Sequence, residues 1–448
     1  MATGGASNAA VDPPLGAFPP SGAARPSQPA LSITLSDLLS LPRFATSGTA
    51  AYRPGLDRMR ALLAALGDPH RSAPVVHVAG TNGKGSTASF VASIASATGR
   101  RVGLHTSPHL VDVGERMRID GVPAGDAWLE AAVARVGGVF ERVGPSFFEA
   151  TVGLSFLYFA EHDVDLAVVE VGLGGRLDAT NVVAPAVSVV THIGLDHTDL
   201  LGDTPAAVAR EKAGIARPGV PLVHGVADPA ARDALEAEAQ RRGADVERAA
   251  ETCRWAGRQL ATPVRTYRDL DVGLAGPHQR ANAALAVRAA EHAIPDVAPE
   301  AVRAGLREVA VRSGLRGRGE AWNADARVVL DVAHNADGWA AALRSLDVPA
   351  GGTLTALVGL MADKDADALA LRLADAGARA VVVGLAGDRA LGAGALAAAL
   401  RARGVPAETA PSVADGLARF RAGARPEDRL LVTGSHVTVA DALAAGGA

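Results

Sequence analysis

The stretch from 77 to 90, HVAGTNGKGSTASF, combines residue types that hold phosphate in proteins. Its glycines allow oxygen atoms to approach the backbone N–H groups closely, because no Cβ stands in the way. Lys84 adds a positive charge, and Ser86 or Thr87 adds a hydroxyl that can bind Mg²⁺. An apolar run before the loop predicts a strand, and the residues after it predict a helix whose positive end faces the same point. The sequence therefore predicts a phosphate site, with an ordinary glycine-rich turn as the alternative.

The loop differs from the usual pattern G-x-x-x-x-G-K-[ST] at two positions. Val78 stands where the first glycine is expected, and Gly85 takes the place after the lysine. The segment GTNGKGS, residues 80–86, is therefore a variant of the phosphate loop and not its common form.

A carboxylate and an imidazole follow two further apolar runs. Glu170 comes at the end of DLAVVE, and His197 follows AVSVVTHIG within GLDHTD. The carboxyl ends of parallel strands meet at one edge of a sheet, where α/β proteins place their ligands. Both residues are therefore candidates for binding a cation. Taken alone, each is more often a hydrogen-bonded turn residue, so both interpretations stay open.

The elements that must position these residues follow from hydrophobic patterning. Short apolar runs alternate with helical ones, and continuous runs such as VDLAVVEVGL are typical of strands buried on both faces. A second alternating series begins near Arg327. The sequence predicts an α/β protein in which a P-loop-containing, doubly wound sheet domain precedes a smaller Rossmann-like α/β C-terminal domain.

These patterns divide the chain into four parts. Residues 1–30 are rich in Pro, Ala, Gly and Ser, which predicts a disordered tail. Residues 31–315 form the predicted central domain that carries the loop. Residues 316–322, glycine-rich and charged, are predicted to be a hinge, and residues 323–448 form the C-terminal domain.

Composition argues against several classes of function. A formal net charge of −4 gives no reason to expect binding to nucleic acid or to anionic membranes. The sequence has no apolar run of about 18 residues, and its N-terminus lacks the pattern of a signal peptide. One cysteine cannot form an intramolecular disulfide. We therefore expect small-molecule partners, no nucleic acid or membrane, and a cytoplasmic protein that is a monomer.

Several longer segments resemble one superfamily, in the same order along the chain. Besides GTNGKGS they are TSPHLVDVGERMRIDG (106–121), FFEATVGLSFLYFAEHDVDLAVVEVGLGGRLDATNVV (147–183), THIGLDHTDLLGDTPAAVAREKAGI (191–215), GPHQRANAALAV (276–287), GRGE (317–320) and LDVAHNADG (330–338). They resemble the Mur ligases, and within them the folylpolyglutamate and dihydrofolate synthases. The resemblance covers about residues 31–440.

The resemblance implies a nucleotide site that both domains share, with ATP and Mg²⁺ as cofactors. The implied nucleotide-binding residues are Gly80, Thr81, Asn82, Gly83, Lys84, Gly85, Ser86, Thr87, Asn282, Arg318, Asp331 and His334. The implied metal ligands are Ser86, Glu170, His197 and Lys212, and the implied catalytic residues are Lys84, Lys212, Arg318 and His334. Without the resemblance, Asn282, Arg318 and Asp331 would be interpreted as a capping residue, a solvated arginine and a turn residue.

Lys212 is the least obvious of these positions. From composition alone it is a surface lysine on a helix, paired with Glu211 or Asp203. By resemblance it is a carbamylated lysine that serves a second Mg²⁺. Carbamylation requires a neutral amine, so the site would have to lower the pKa of the lysine.

The acceptor side is less well defined. The segment TSPHLVDVGER departs from the family pattern at Val113 and Gly114. Phe147, Phe148 and Thr151 could line a pteroate pocket, although aromatic residues at helical spacing usually lie in the core.

Three hypotheses about function remain. The first is an ATP-dependent ligase that adds L-glutamate to dihydropteroate, to folate or to both through an acyl phosphate. The second is a Mur ligase acting on a UDP-MurNAc peptide; the short segment before the loop argues against it, because those enzymes carry an additional N-terminal domain. The third is a non-catalytic P-loop protein that only binds nucleotide.

Overall fold

The computed structural model describes residues 33–41, 54–387 and 389–446. The predicted disordered tail, residues 1–30, lies outside the described residues.

The described chain alternates helices and strands. The helices are α1 Leu35–Ser40, α2 Asp57–Ala65, α3 Lys84–Ser96, α4 Asp126–Val143, α5 Phe147–Glu161, α6 Thr198–Leu201, α7 Pro205–Ala213, α8 Pro229–Arg241, α9 Ala249–Thr252, α10 Pro277–Ala293, α11 Pro299–Arg307, α12 Val309–Ser313, α13 Ala336–Ser345, α14 Ala366–Asp375, α15 Ala393–Ala402, α16 Val413–Gly423 and α17 His436–Ala445. The strands are β1 Val75–Ala79, β2 Val102–His105, β3 Met117–Ile119, β4 Val122–Pro123, β5 Leu166–Glu170, β6 Pro185–Val190, β7 Pro221–His224, β8 Asp245–Arg248, β9 Arg254–Ala256, β10 Gln259–Ala261, β11 Thr266–Tyr267, β12 Arg318–Trp322, β13 Asp325–Asp331, β14 Leu354–Val358, β15 Arg379–Val383, β16 Ala407–Ala410 and β17 Arg429–Thr433.

An eight-stranded sheet forms the centre of the first domain. Its strand order is β4-β3-β2-β5-β1-β6-β7-β8, and all pairs are parallel except those that involve β3 and β4. Strand β1, which leads into the glycine loop, lies between β5 and β6. The loops that follow these three strands therefore meet at one edge, as the sequence predicts.

Helices cover both faces of this sheet. On β5, Val168 packs into a cluster with Phe90 of α3 and Leu285 of α10, whereas the next residue, Val169, packs with Phe156 of α5. Successive side chains of a strand point to opposite faces, so this strand is buried on both sides. The predicted three-layer arrangement is confirmed.

The second domain has a six-stranded sheet of order β12-β13-β17-β14-β15-β16. Only β12 is antiparallel to its neighbour within this sheet. On β17, Leu431 packs with helices α13 to α15, and Val432 packs with α16 and α17. Helices therefore lie on both faces, which confirms the predicted Rossmann-like C-terminal domain.

The predicted hinge contains a strand. Residues 318–322 form β12, which pairs with β13, so most of the segment 316–322 belongs to the second sheet. Gly317 and Gly319 have positive φ values of 66° and 63°, and the pairing register shifts between Arg318 and Glu320. These glycines serve an irregular edge strand, which explains why their pattern resembled a flexible linker.

A small three-stranded antiparallel sheet, β9 to β11, completes the described chain. Leu260 and Tyr267 of this sheet pack into the same cluster as α10, which attaches it to the first domain. Among the helices that the structure describes, none is both long and apolar enough to cross a membrane.

Candidate active site between the two domains

A cavity of about 1160 Å³ lies where the carboxyl ends of the central strands face the C-terminal domain. Every residue predicted for nucleotide binding, metal binding or catalysis lines it, with Thr87 as the exception. The lining residues from the prediction are Gly80, Thr81, Asn82, Gly83, Lys84, Gly85, Ser86, Glu170, His197, Lys212, Asn282, Arg318, Asp331 and His334.

The glycine loop is packed too closely for side chains at two of its positions. A Cβ on Gly80 would lie 1.8 Å from Oγ1 of Thr191, and a Cβ on Gly83 would lie 2.5 Å from Oδ1 of Asn282. Gly83 also has a φ of 87°, in the left-handed region. The helix α3 begins immediately afterwards at Lys84, so its first N–H groups face the cavity.

Neighbouring loops hold the glycine loop in place. The Thr81 N–H donates to the carbonyl of His192 at 2.7 Å, and the hydroxyl of Thr191 donates to the carbonyl of Asn82 at 2.7 Å. Lys84 donates from Nζ to the carbonyl of Thr81 at 3.1 Å. The loop conformation is therefore set by contacts within the protein, before any anion binds.

Of the two hydroxyls predicted for Mg²⁺, only that of Ser86 belongs to a residue lining the cavity. Thr87 is fully buried, and its Oγ1 has no hydrogen-bond partner among the described residues. On α3, consecutive residues are about 100° apart, so Thr87 points away when Ser86 faces the loop. Thr87 supports the helix packing and does not line the site.

Glu170 lies at the end of β5 and is 5% exposed. Its Oε2 accepts a hydrogen bond from the N–H of Ser107 at 3.1 Å. Burial raises the pKa of this carboxyl group, although the nearby charge of Lys84 opposes the shift. A buried carboxylate is stabilised by a cation beside it, so Glu170 fits the proposed metal ligand.

His197 has a left-handed backbone with φ of 52° at the start of α6. Burial lowers the pKa of its imidazole to about 4. The ring is therefore neutral at physiological pH and keeps a lone pair for a metal ion. Within the described residues no group of three or more His, Cys, Asp or Glu side chains is arranged to hold a metal. The predicted ligands instead include the hydroxyl of Ser86, which lines the cavity with Glu170 and His197.

Lys212 is buried, which excludes the surface lysine considered from composition. It is 3% exposed, and its Nζ donates to the carbonyl of Gly80 at 2.8 Å. Its neighbour Glu211 pairs with Arg176. Burial and the charge of Lys84 lower the pKa of Lys212 to about 7. The site therefore increases the share of neutral amine at physiological pH, which carbamylation requires.

Two of the predicted residues lie against the glycine loop from other elements. Asn282, on α10, is 6% exposed and faces Gly83. The guanidinium of Arg318, on β12, would lie 3.4 Å from a Cβ on Gly85, and Glu170 would lie at 3.5 Å on the same side. The positive charge of Arg318, which belongs to the second domain, therefore lies beside both the glycine loop and the carboxylate of Glu170 in the first domain.

Asp331 is the last residue of β13 in the C-terminal domain, and His334 follows the strand. Asp331 accepts hydrogen bonds from the N–H groups of Gly319 and Ala333, each at 2.9 Å. Burial raises the pKa of Asp331. His334 places its Nδ1 2.9 Å from the carbonyl of Val332, and this contact leaves Nε2 directed at the first domain.

The site also contains two residues that the sequence did not predict. Lys364 donates from Nζ to Oδ1 of Asp196 at 2.7 Å, across the two domains. Burial alone would raise the pKa of Asp196, but the hydrogen bond with His334 and the charges of His197 and Lys364 lower it. The position of Asp196 directly before His197 was the available sequence signal, whereas Lys364 had none.

The cavity also has an aromatic wall. Phe147 and Phe148 line it, and the guanidinium of Arg116 lies 5.0 Å from the ring centre of Phe147. Thr151 is fully buried and bonds to the carbonyl of Phe148, so it belongs to the core. The aromatic wall offers a flat apolar surface beside the positive charge of Arg116, whereas the glycine loop offers polar groups.

Comparison with known proteins agrees with this arrangement. The Mur ligase middle domain matches residues 78–290, and the Mur ligase, glutamate ligase domain matches residues 317–436. The dihydrofolate synthase/folylpolyglutamate synthase of Bacillus subtilis is 40% identical over 306 residues, which are 64% of this chain and 70% of that protein.

Solved structures match over nearly the whole chain. Escherichia coli FolC in complex with DHPP and ADP has a TM-score of 0.81 at 32% identity, covering 92% of this chain and 96% of that one. The bifunctional folylpolyglutamate synthase/dihydrofolate synthase from Yersinia pestis complexed with AMPPNP and Mn has a TM-score of 0.83 at 30% identity, covering 94% and 100%. The chain therefore belongs to the folylpolyglutamate synthase/dihydrofolate synthase family of Mur ligases.

Proposed function

We propose that this chain is an ATP-dependent ligase that joins L-glutamate to dihydropteroate, to a reduced folate, or to both. A carboxylate oxygen of the acceptor attacks the γ-phosphorus of ATP, giving an acyl phosphate and ADP. The amine of glutamate then displaces phosphate, loses a proton and forms the amide. The observation that carries this proposal is the single cavity in which the glycine loop, the buried Glu170 and the aromatic wall meet.

The glycine loop holds the triphosphate in this proposal. Its N–H groups and the start of α3 face the phosphates, and Lys84 supplies a compact positive charge. Ser86, Glu170 and His197 would hold Mg²⁺, which when bound neutralises charge on the transferring phosphoryl group. Asn282 lies on the nucleotide side, beside Gly83.

Side chains of the C-terminal domain complete the set of charged and polar groups around the triphosphate. Arg318 reaches Gly85 from β12, and Asp331 and His334 lie at the end of β13. We assign Asp331 to the ribose and His334 to the γ-phosphate. Because these groups belong to the other domain, they complete the site only when both domains are in contact, which excludes water from the acyl phosphate.

We also propose that Lys212 is carbamylated and serves a second Mg²⁺. Its neutral amine attacks CO₂, forms a carbamate and releases one proton. The support is its 3% exposure and its short contact with the loop carbonyl of Gly80. A carbamate at this point would place an anion beside the positive charge of Lys84.

We assign the acceptor to the aromatic wall of the cavity. A flat pteridine or benzoate ring can stack on Phe147 and Phe148 while its carboxylate extends toward Glu170 and the loop. L-glutamate enters from the side of the C-terminal domain, whose matched family is a glutamate ligase domain.

We propose that the enzyme acts as a monomer. We place it in the cytoplasm, where ATP and reduced folates are available.

Phosphate release from ATP, measured with L-glutamate and either dihydropteroate or a reduced folate, tests the function. We expect release that depends on both the acceptor and glutamate, and the acceptor that gives it identifies which synthase this is. ATP binding without acceptor-dependent release would favour a non-catalytic nucleotide-binding protein. Release only with a UDP-MurNAc peptide would favour the other branch of the superfamily.

A further inference from the structure

Asp196 joins the two domains at the centre of the site. It lies in the loop between β6 and α6, and its side chain is 11% exposed. Three groups of the C-terminal domain converge on its carboxylate: Nζ of Lys364 at 2.7 Å, Nδ2 of Asn335 at 3.2 Å and Nε2 of His334 at 3.4 Å. The carboxylate of Asp196, in the first domain, therefore contacts three side chains of the second domain.

Asn335 extends this contact to the glycine loop. Its amide exchanges two hydrogen bonds with the amide of Asn82, at 3.0 and 3.1 Å. Its Oδ1 also accepts from the N–H of Gly338 at 2.9 Å and so caps α13. The start of α13, a helix of the C-terminal domain, is thus bound both to the glycine loop and to Asp196.

Both oxygens of Asp196 already have donors. Oδ1 accepts from Lys364 and from the N–H of His197 at 3.0 Å, and Oδ2 faces Asn335 and His334. The ion pair is well shielded, since Lys364 is 12% exposed. Three of these four groups belong to the C-terminal domain, so most of the contacts of the carboxylate run between the domains.

We propose that Asp196 is a positioning residue that holds the C-terminal domain against the glycine loop through Lys364, with His334 placed at the phosphates as a result. This inference rests on the proposed function for the role of His334. Loss of the pair leaves the loop and the metal residues intact but lets the two halves of the site separate. Misplacement by about 1 Å is enough to reduce a rate by about 100-fold.

The test compares Asp196→Asn, Lys364→Met and the double variant in the full chain. Nitroxide labels on Val264→Cys and Leu371→Cys, in a Cys253→Ser background, report the distance between domains by pulsed EPR. Both labelled positions are exposed, one in each domain. We expect each variant to broaden the distance distribution and to lower kcat about 100-fold, with KM for the acceptor changed less than about threefold.

The double variant shows whether the two residues act together. We expect it to lose no more activity than the worse single variant. Losses that multiply, or an unchanged distance distribution, would overturn the proposal. Asp367→Asn is the matched control, because among the described residues this exposed carboxylate pairs with Arg403 alone, on the surface of the C-terminal domain, and it should change neither readout.

Mn²⁺ titration of the same variants separates positioning from metal binding. We expect the Mn²⁺ affinity of Asp196→Asn to stay within about threefold of the unmodified protein, and a larger loss would assign Asp196 to the metal and overturn the proposal. If the unmodified enzyme releases no acceptor-dependent phosphate, the proposed function fails. The distance distributions would still decide whether Asp196 holds the domains together.

Discussion

At the scale of single residues, burial decides which groups of the cavity carry charge. Burial raises the pKa of Glu170 and lowers those of His197 and Lys212, so each group is shifted toward its neutral form. Neutral imidazole and amine groups next to a buried carboxyl group leave a site that gains stability when a cation enters. The chemistry of the loop therefore depends on how deeply its neighbours are packed.

Replacement of Lys84 by Ala should nearly abolish turnover. The side chain is a cation within the loop itself, so its loss removes charge stabilisation that grows as the phosphoryl group transfers. We expect kcat to fall at least about 100-fold and ATP affinity to weaken. Steady-state kinetics and nucleotide titration measure both effects. Turnover that survives within about tenfold would show that the loop assignment is wrong.

Lys212→Ala tests the carbamate. The substitution removes the amine and leaves a small space beside Gly80, which a short carboxylate can enter. We expect activity to be lost and partly restored by added acetate, whereas chloride at the same ionic strength restores none. Equal effects of the two salts would contradict a carboxylate function at this position.

At the scale of elements, the sheet faces are built by close helix contacts. Helix α11 packs onto α3 at Gly305, whose carbonyl accepts a hydrogen bond from the hydroxyl of Ser93 at 2.7 Å. A Cβ on Gly305 would lie 2.5 Å from the Cα of Ile94. The absent side chain lets the two helices approach, and α3 is the helix that follows the glycine loop.

Gly305→Ala should therefore lower the free energy of unfolding by roughly 1–3 kcal/mol through overpacking. Gly394→Ala is the matched control, because a Cβ there meets no atom within 4 Å on the exposed start of α15. It should leave stability unchanged or raise it by up to about 1 kcal/mol. Urea denaturation compares the two variants, and equal effects would refute close packing at Gly305.

The contact between β2 and α5 predicts a pH dependence. His105 is fully buried, and its Nδ1 lies 2.8 Å from the hydroxyl of Ser155, which itself donates to the carbonyl of Thr151. Nδ1 therefore carries the proton, and the buried Nε2 has no partner among the described residues. Burial lowers the pKa of His105 to about 3.

Because the folded pKa is below the unfolded value, the unfolded chain binds the proton first. Stability should fall as pH drops from 6.5 toward 3, by about 1.4 kcal/mol per pH unit for this group. His105→Leu should make the urea midpoint less sensitive to pH between 7 and 5. A slope identical to that of the unmodified protein would contradict the prediction.

At the scale of the whole molecule, the sequence was informative where a function depends on one local pattern. Glu170 was predicted because a continuous apolar run ends at it, and the loop was predicted from its own glycines. The burial of Lys212 was not predictable, because it depends on packing against Gly80, 132 residues away.

Contacts between the two domains could not be predicted from the sequence for the same reason. Asp196 and Lys364 lie 168 residues apart, and each appears alone as an ordinary loop charge. Gly317 and Gly319 resembled a hinge because an irregular edge strand uses the same residue type as a flexible linker. Long-range packing decided the positions of Asp196 and Lys364, whereas the pairing of β12 with β13 decided those of the two glycines.

Transfer of oxygen from the acceptor to phosphate tests most directly whether ATP and the acceptor carboxylate react together in the cavity between the domains. The acceptor, labelled with ¹⁸O in its carboxylate, is incubated with ATP, Mg²⁺ and L-glutamate, and the released phosphate is analysed by mass spectrometry. An acyl phosphate predicts one ¹⁸O in each phosphate formed, because the attacking oxygen leaves with the phosphorus. Phosphate without label, at normal amide yield, would contradict this route.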